Sequence, residues 1–201
     1  MNFLAHFFLS HRIENIIIGN FLGDFVRGNK YKDYPEEIAK GIMLHRNIDT
    51  FTDQHPIILQ TNKRLHANFG KYAPVITDIY YDHFLGVHFN KYKFENQSKE
   101  LKDFSIFIYQ TLEKNYEILP PLAQQVFLKM KEQDWLTHYA TLYGMEQSLN
   151  GLSRRAKYAT NLHESFDFLK QNYSVIESDF LLFFPDIMQF VHEKLNEYFC
   201  K

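Results

Sequence analysis

The spacing of apolar and polar residues predicts helices along the whole chain. From Ile38 to Thr52 the apolar residues recur with a helical period, and no strand-like alternation competes with it. The run 75–85 is rich enough in β-branched and aromatic residues for a strand, but its length and the preceding Pro74 favour a helix. We therefore predict an all-α fold. The predicted helices lie at about 13–27, 35–53, 56–68, 74–91, 98–117, 120–132, 135–150, 161–172 and 175–199.

The prolines indicate where several of these helices begin or are interrupted. Pro35, Pro56 and Pro74 stand where helices begin, in positions that need no backbone N–H donor. Pro185 interrupts the last apolar stretch and is expected to kink or split that helix. The sequence contains no linker rich in Gly, Ser and Pro and no internal repeat. We expect one domain over residues 1–201, folded as a compact helical bundle.

The composition is that of a globular protein with many aromatic residues. Of the 201 residues 45% are hydrophobic and 23% are charged, and the chain has 20 Phe and 13 Tyr. These rings are expected to fill helix–helix interfaces, and Trp135 and the stretch 180–184 are expected in the core. The single cysteine, Cys200, excludes an internal disulfide and a cysteine-rich zinc site.

The N-terminal sequence, the apolar stretches and the net charge indicate the expected cellular location and partners. The first residues lack a basic start and a clear cleavage site, so they make a poor signal peptide. No apolar stretch approaches the ~20 residues of a membrane-spanning helix. The net charge of −2 argues against general nucleic-acid affinity. We expect a cytoplasmic protein that binds neither nucleic acid nor membrane; the pattern predicts no particular oligomeric state.

Three segments place His and Asp among apolar neighbours, where a buried charge needs a partner. Asp24 lies in the first segment, and the second holds His45 and Asp49, which share a helix face because they are four residues apart. Asp82 and His83 are adjacent in the third. Such residues bind Mn²⁺, Mg²⁺, Fe²⁺ or Zn²⁺, and in helical bundles ligands converge from facing helices. A salt-bridged surface turn is the alternative for the His45–Asp49 pair.

Other residues have two interpretations on sequence alone. His6 lies between Ala5 and Phe7, and the residues by themselves favour a core histidine bonded to a backbone carbonyl. Arginine suits phosphate because its planar group donates two parallel hydrogen bonds, although solvated surface positions explain the same residues. The candidate arginines are Arg27, Arg46, Arg154 and Arg155. The sequence has no Gly-rich phosphate loop and no Gly-x-Ser-x-Gly nucleophile motif.

Five segments, in the same order over nearly the whole chain, resemble the bacterial acyl carrier protein phosphodiesterase (holo-acyl-carrier-protein hydrolase) family. They are Met1-Asn-Phe-Leu-Ala-His, Gly19-Asn-x-Leu-x-Asp-Phe-Val-Arg-Gly, Gly41-Ile-x-x-His-Arg-x-Ile-Asp-x-x-Thr-Asp, Asp82-His-Phe-Leu and Gly151-Leu-Ser-Arg-Arg. Gly23 stands where the family often has another small residue, and the stretch 91–131 offers little to match.

The resemblance implies a divergent HD-type phosphohydrolase that uses a divalent cation, typically Mn²⁺. Its reaction removes 4′-phosphopantetheine from a serine of acyl carrier protein, which is then both substrate and partner. The metal-site residues that it implies are Asp24, His45, Asp49, Asp82 and His6.

The resemblance also suggests roles around the metal. Arg46 and Arg27 become candidates for the phosphate side, and His83 is our candidate general acid. Arg154 and Arg155 are expected to contact the acidic carrier protein.

Two further hypotheses stay open on the sequence. A phosphohydrolase with the same metal centre would turn over a nucleotide or another small phosphodiester without a carrier protein. A helical binding protein would use the His and Asp residues as structural ion pairs, and its melting temperature would not respond to Mn²⁺.

Overall fold

The computed structural model describes residues 1–92, 100–156 and 161–199, apart from the side chain of Arg155, and over these ranges it contains ten α-helices and no strand. The prediction of an all-α fold is confirmed. None of the helices in these ranges has both the length and the apolar character needed to cross a membrane. The helices are α1 (Phe3–Phe8), α2 (Glu14–Leu22), α3 (Glu36–Gln54), α4 (Pro56–Phe69), α5 (Ala73–Val87), α6 (Leu101–Lys114), α7 (Pro121–Glu132), α8 (Trp135–His138), α9 (Leu142–Arg155) and α10 (Ser165–Phe199).

Two predicted helices differ most from the observed ones. The predicted helix 135–150 is divided into α8 and α9, because the chain turns after His138 and Thr141 caps the next helix by accepting a hydrogen bond from the N–H of Gly144. The predicted helix 13–27 ends earlier, at Leu22. The first helix, α1, was absent from the prediction.

The long C-terminal helix shows where the proline prediction was wrong. Helix α10 continues through Pro185, and only Asn172 departs from helical dihedral angles, with φ −117° and ψ 17°. The interruption therefore lies between the predicted helices 161–172 and 175–199, as their boundaries implied, and not at the proline. The lost N–H of one proline does not by itself break a helix that is packed on its neighbours.

Helices α2 and α3 meet at a pair of glycines. A Cβ on Gly19 would overlap the carbonyl oxygen of Ile38, and a Cβ on Gly41 would lie 2.7 Å from the carbonyl oxygen of Ile16. Only hydrogen at both positions allows the two backbones to come so close. This contact fixes how the end of α2 lies against the middle of α3.

Aromatic rings fill the centre of the bundle, as predicted. Phe8, on α1, is fully buried and contacts the rings of Phe89, Phe104 and Phe184 at centroid distances of 5.5, 6.3 and 5.6 Å. Trp135 differs from its prediction, since it is only partly buried and lines a surface cavity. Helix α1 is thus held by the core although it has only six residues.

Candidate metal centre

Three side chains from two helices meet at one edge of the bundle. The Nε2 atom of His6 lies 3.2 Å from Oδ1 of Asp49, and Nε2 of His45 lies 3.2 Å from Oδ2 of the same carboxylate. The two imidazole rings stack with a centroid distance of 4.0 Å and an interplanar angle of 17°. Both histidines are buried, whereas 42% of the Asp49 side chain is exposed. The three residues offer ligand atoms that all lie within 4.8 Å of one another.

Asn20 determines which nitrogen of His6 carries the proton. Its Nδ2 donates to the backbone carbonyl of His6 at 2.8 Å and to Oγ of Ser10 at 3.0 Å, so its Oδ1 is an acceptor. That oxygen lies 2.8 Å from Nδ1 of His6, which must therefore be the N–H donor. The other nitrogen, Nε2, then holds a lone pair. Sequence reasoning missed Asn20, although a polar residue between Ile18 and Phe21 in an apolar helix was a signal for it.

The lone pair of His6 is the observation that tests whether a cation fits. Nε2 is buried without a hydrogen-bond partner among the described residues, yet it faces a carboxylate oxygen. Burial and the nearby charge of His45 lower the pKa of His6 to about 4, so the ring is neutral at pH 7. Two electron-pair donors facing each other repel unless a cation lies between them. Two imidazoles and one carboxylate are ordinary ligands of divalent metals, and the set fits.

Gly23 holds the ring of His45 in place. A Cβ on Gly23 would overlap the imidazole atoms of His45, so this ring lies between a bare backbone on one side and the ring of His6 on the other. The next residue, Asp24, places Oδ1 at 3.7 Å from Nε2 of His45 and has 49% of its side chain exposed. The structure thus brings Asp24 to the rim of the group formed by His6, His45 and Asp49.

Asp82 holds the helix that carries His6. Its two oxygens accept hydrogen bonds from the backbone N–H groups of Leu4 at 2.8 Å and of Ala5 at 3.2 Å, in the first turn of α1. Burial raises the pKa of Asp82 to about 7, although these two hydrogen bonds act in the opposite direction. Asp82 therefore caps the helix that carries His6, and the structure does not bring it into the group of possible ligands.

The amino group of Met1 is a cation beside the centre that sequence reasoning missed. Its nitrogen lies 3.0 Å from Oδ1 of Asp78 and 3.8 Å from Oδ1 of Asp49. Burial alone lowers the pKa of this amino group, but the charges of Asp78 and Asp49 outweigh it and the net pKa is raised. Side-chain patterns carry no signal for a backbone amine.

His83 lies apart from the three-residue group. Its Nδ1 donates to the carbonyl oxygen of Tyr139 at 2.8 Å, and its Nε2 accepts from the hydroxyl of Tyr173 at 3.0 Å. Burial lowers its pKa, so the ring is neutral at pH 7. Both nitrogens have protein partners in this arrangement, and the role of general acid stays a prediction.

The candidate arginines occupy three different surroundings. Arg46 donates from Nη2 to the carbonyl oxygen of Val26 at 2.9 Å and lies over the ring of Tyr31, so it braces the segment that follows Asp24. Arg27 is exposed beside that segment, and Arg154 is exposed at the wall of a cavity. The side chain of Arg155 lies outside the described residues.

Comparisons with known proteins identify the family. The family model of acyl carrier protein phosphodiesterase matches residues 1–187. A protein of this name from Photorhabdus laumondii is 30% identical over 200 residues, covering 100% of this chain and 98% of the relative. Its namesake from Yersinia pestis is 32% identical over 194 residues, covering 96% and 99%. No solved structure matches the chain. The chain belongs to the acyl carrier protein phosphodiesterase family.

Proposed function

We propose that this protein hydrolyses the phosphodiester that joins 4′-phosphopantetheine to a serine of acyl carrier protein. The products are apo-acyl carrier protein and 4′-phosphopantetheine. Family membership over nearly the whole chain supports the substrate. The observation that carries the chemistry is the lone pair on Nε2 of His6, which faces the Asp49 carboxylate at 3.2 Å in a group that His45 completes.

His6, His45 and Asp49 would hold a divalent cation, and Mn²⁺ is the first to test. When bound, such a cation supplies a water nucleophile of lowered pKa and neutralises charge on the phosphate oxygens. Asn20 and Gly23 orient the two imidazoles, and this outer support decides how well a histidine binds. The exposed part of Asp49 leaves one side of the centre open to substrate.

The residues at the rim of the centre would act on different parts of the reaction. Asp24 lies at 3.7 Å from His45 and is half-exposed, which supports a role as the base that accepts a proton from the attacking water. Arg46 has donors left after its bond to Val26, and with Arg27 it offers positive charge toward a monoanionic phosphodiester. The remaining step, protonation of the seryl oxygen that leaves, is the one for which His83 is our candidate.

The partner that this function requires is a small acidic protein. Exposed Arg27, Lys30 and Arg154 offer positive charge toward it although the net charge of the chain is −2. Local positive potential mainly raises the association rate, and therefore turnover is expected to fall as salt is added.

The direct experiment uses the full-length protein with holo-acyl carrier protein and Mn²⁺, followed by intact mass spectrometry. We expect conversion to the apo form, its loss on addition of a chelator, and its loss in Asp49→Asn. The matched control is Asp53→Asn, one helical turn further along α3 and exposed, which should convert the carrier as the unchanged protein does.

Two outcomes would contradict the proposal. Hydrolysis of bis(p-nitrophenyl) phosphate without any release from the carrier protein would indicate a phosphohydrolase of small diesters. No hydrolysis of either substrate, together with a melting temperature that ignores Mn²⁺, would indicate a binding protein whose ion pairs are structural.

A further inference from the structure

We propose that the cavity between α8 and α9 binds the pantetheine arm of the substrate, which deepens the proposed function and rests on it. The cavity has a volume of about 600 Å³, within the range of ligand sites. Its wall includes Asn2 and Ile79. Asn2 directly follows Met1 and Ile79 directly follows Asp78, and Met1 and Asp78 form the ion pair beside Asp49. Neighbouring Cα atoms are about 3.8 Å apart, so the cavity begins next to the candidate metal centre.

The shape of the cavity follows one face of α9. Tyr143, Gln147, Gly151 and Arg154 line it at helical spacing, which amounts to roughly 16 Å along the helix axis at about 1.5 Å per residue. A wall of this length suits an extended chain molecule better than a compact nucleotide. The pantetheine arm is such a chain: it carries amides, a hydroxyl and a branched dimethyl group, and it ends in a thiol.

Gly151 points to a ligand because packing does not explain it. Glycine inside a helix costs about 1 kcal/mol relative to alanine. At Gly144 a Cβ would overlap the carbonyl oxygen of His138, so close approach of α8 requires glycine there. At Gly151 an added Cβ would meet no described atom within 4 Å. The absence of a side chain at Gly151 leaves space in the cavity, so the arm can lie against the helix backbone there.

The chemistry of the wall matches an arm that is partly polar. Phe3, Ile79 and Trp135 provide apolar surface for the methylene and dimethyl groups. Gln147 and Arg154 are exposed, and neither makes a hydrogen bond or ion pair with a described residue, so their polar atoms are available to amides and the hydroxyl. A purely apolar acyl chain would form no hydrogen bonds with these groups.

The test fills the cavity and measures binding of the arm separately from the metal. Gly151→Phe places a ring where the structure has open space, and Gln125→Phe places the same ring on the exposed face of α7, outside the cavity. Affinities for 4′-phosphopantetheine and for inorganic phosphate are measured by calorimetry on the Mn²⁺-loaded protein. We expect Gly151→Phe to weaken 4′-phosphopantetheine about tenfold or more and to leave phosphate affinity unchanged. Gln125→Phe should change neither.

Melting temperature and metal content show whether Gly151→Phe folds. Gln147→Ala, a truncation at the surface, serves as a second variant, and we expect it to weaken 4′-phosphopantetheine about fivefold through the loss of one hydrogen bond. Unchanged affinity for 4′-phosphopantetheine in both variants would overturn the inference. The inference would also be overturned if the variants released less 4′-phosphopantetheine from the carrier protein but kept full affinity for free 4′-phosphopantetheine, since the cavity would then contact the carrier protein itself. Failure of the proposed function would give a different result, because the unchanged protein would then release no 4′-phosphopantetheine from the carrier protein.

Discussion

The carboxylate of Asp82 accepts a hydrogen bond of 2.8 Å from the backbone N–H of Leu4, 78 positions earlier in the chain. With the second bond, from Ala5, it supplies the cap that α1 lacks locally, since the side chain of Asn2 makes no capping bond. Asp82 therefore acts on the centre through the position of His6, which directly follows Ala5 in α1.

We expect Asp82→Ala to lower the free energy of unfolding by about 2–4 kcal/mol, because two buried N–H groups lose their acceptor. It should also weaken Mn²⁺ binding, since α1 frays and His6 loses its place. Denaturant unfolding and Mn²⁺ titration measure the two effects, and exchange of the Leu4 and Ala5 amide protons should speed up. Full metal affinity in this variant would show that α1 does not depend on the cap.

Gly23→Ala tests the support of His45. The added methyl overlaps the imidazole ring, and forcing a group into a packed site costs about 1–3 kcal/mol. We expect lower stability and weaker Mn²⁺ binding. The control is Gly151→Ala, where the Cβ enters open space and stability should rise by up to about 1 kcal/mol. Equal stabilities for the two variants would contradict the close contact at Gly23.

Asn20→Ala tests the proton position on His6. Without the acceptor at Nδ1, the ring can turn or place its proton on Nε2, and loss of such support typically lowers metal affinity about 10–100-fold. Asn15→Ala is the matched control on α2, because among the described residues Asn15 bonds only the exposed Glu37. Mn²⁺ titrations of both variants measure this effect, and equal Mn²⁺ affinities would show that Asn20 does not support the site.

Acid should destabilise the metal-free protein through His6. Its pKa is about 4 in the folded state against about 6.5 in the unfolded chain, so the unfolded chain binds more protons between these pH values. The free energy of unfolding should therefore fall as the pH falls from 6.5 to 4, by about 3 kcal/mol for this group. His11, whose pKa is also lowered to about 4, adds a similar slope, and comparison with His6→Gln isolates the part due to His6. Identical pH profiles for the two proteins would contradict this prediction.

Local spacing was sufficient to predict much of the fold. The period of α3 follows from its sequence, and the same four-residue spacing predicted that His45 and Asp49 share a face. Helix α1 could not be predicted in this way. Its six residues are too few to be stable alone, and its cap is a side chain of α5.

The rest of the site depends on contacts between distant parts of the chain. Nothing in the neighbourhood of His6 in the sequence shows that it stacks on His45; only resemblance to a family suggested it as a ligand. Asn20 and the amino group of Met1 act through tertiary contacts to partners at least ten positions away. Sequence patterns identify residue types with the right chemistry, whereas the order in which helices pack decides which of them meet.

The glycine contacts between α2 and α3 have a consequence for protein engineering. Gly19 contacts Gly41 and, four residues later in each segment, Gly23 at the end of α2 contacts His45. A slip of either helix by one residue would break both contacts together, so the register of the pair is also the alignment of the centre. An engineer who transplants this centre into another bundle must move α2 and α3 together with α1. Helix α1 carries His6, and the backbone at Gly23, not α3 alone, positions the ring of His45.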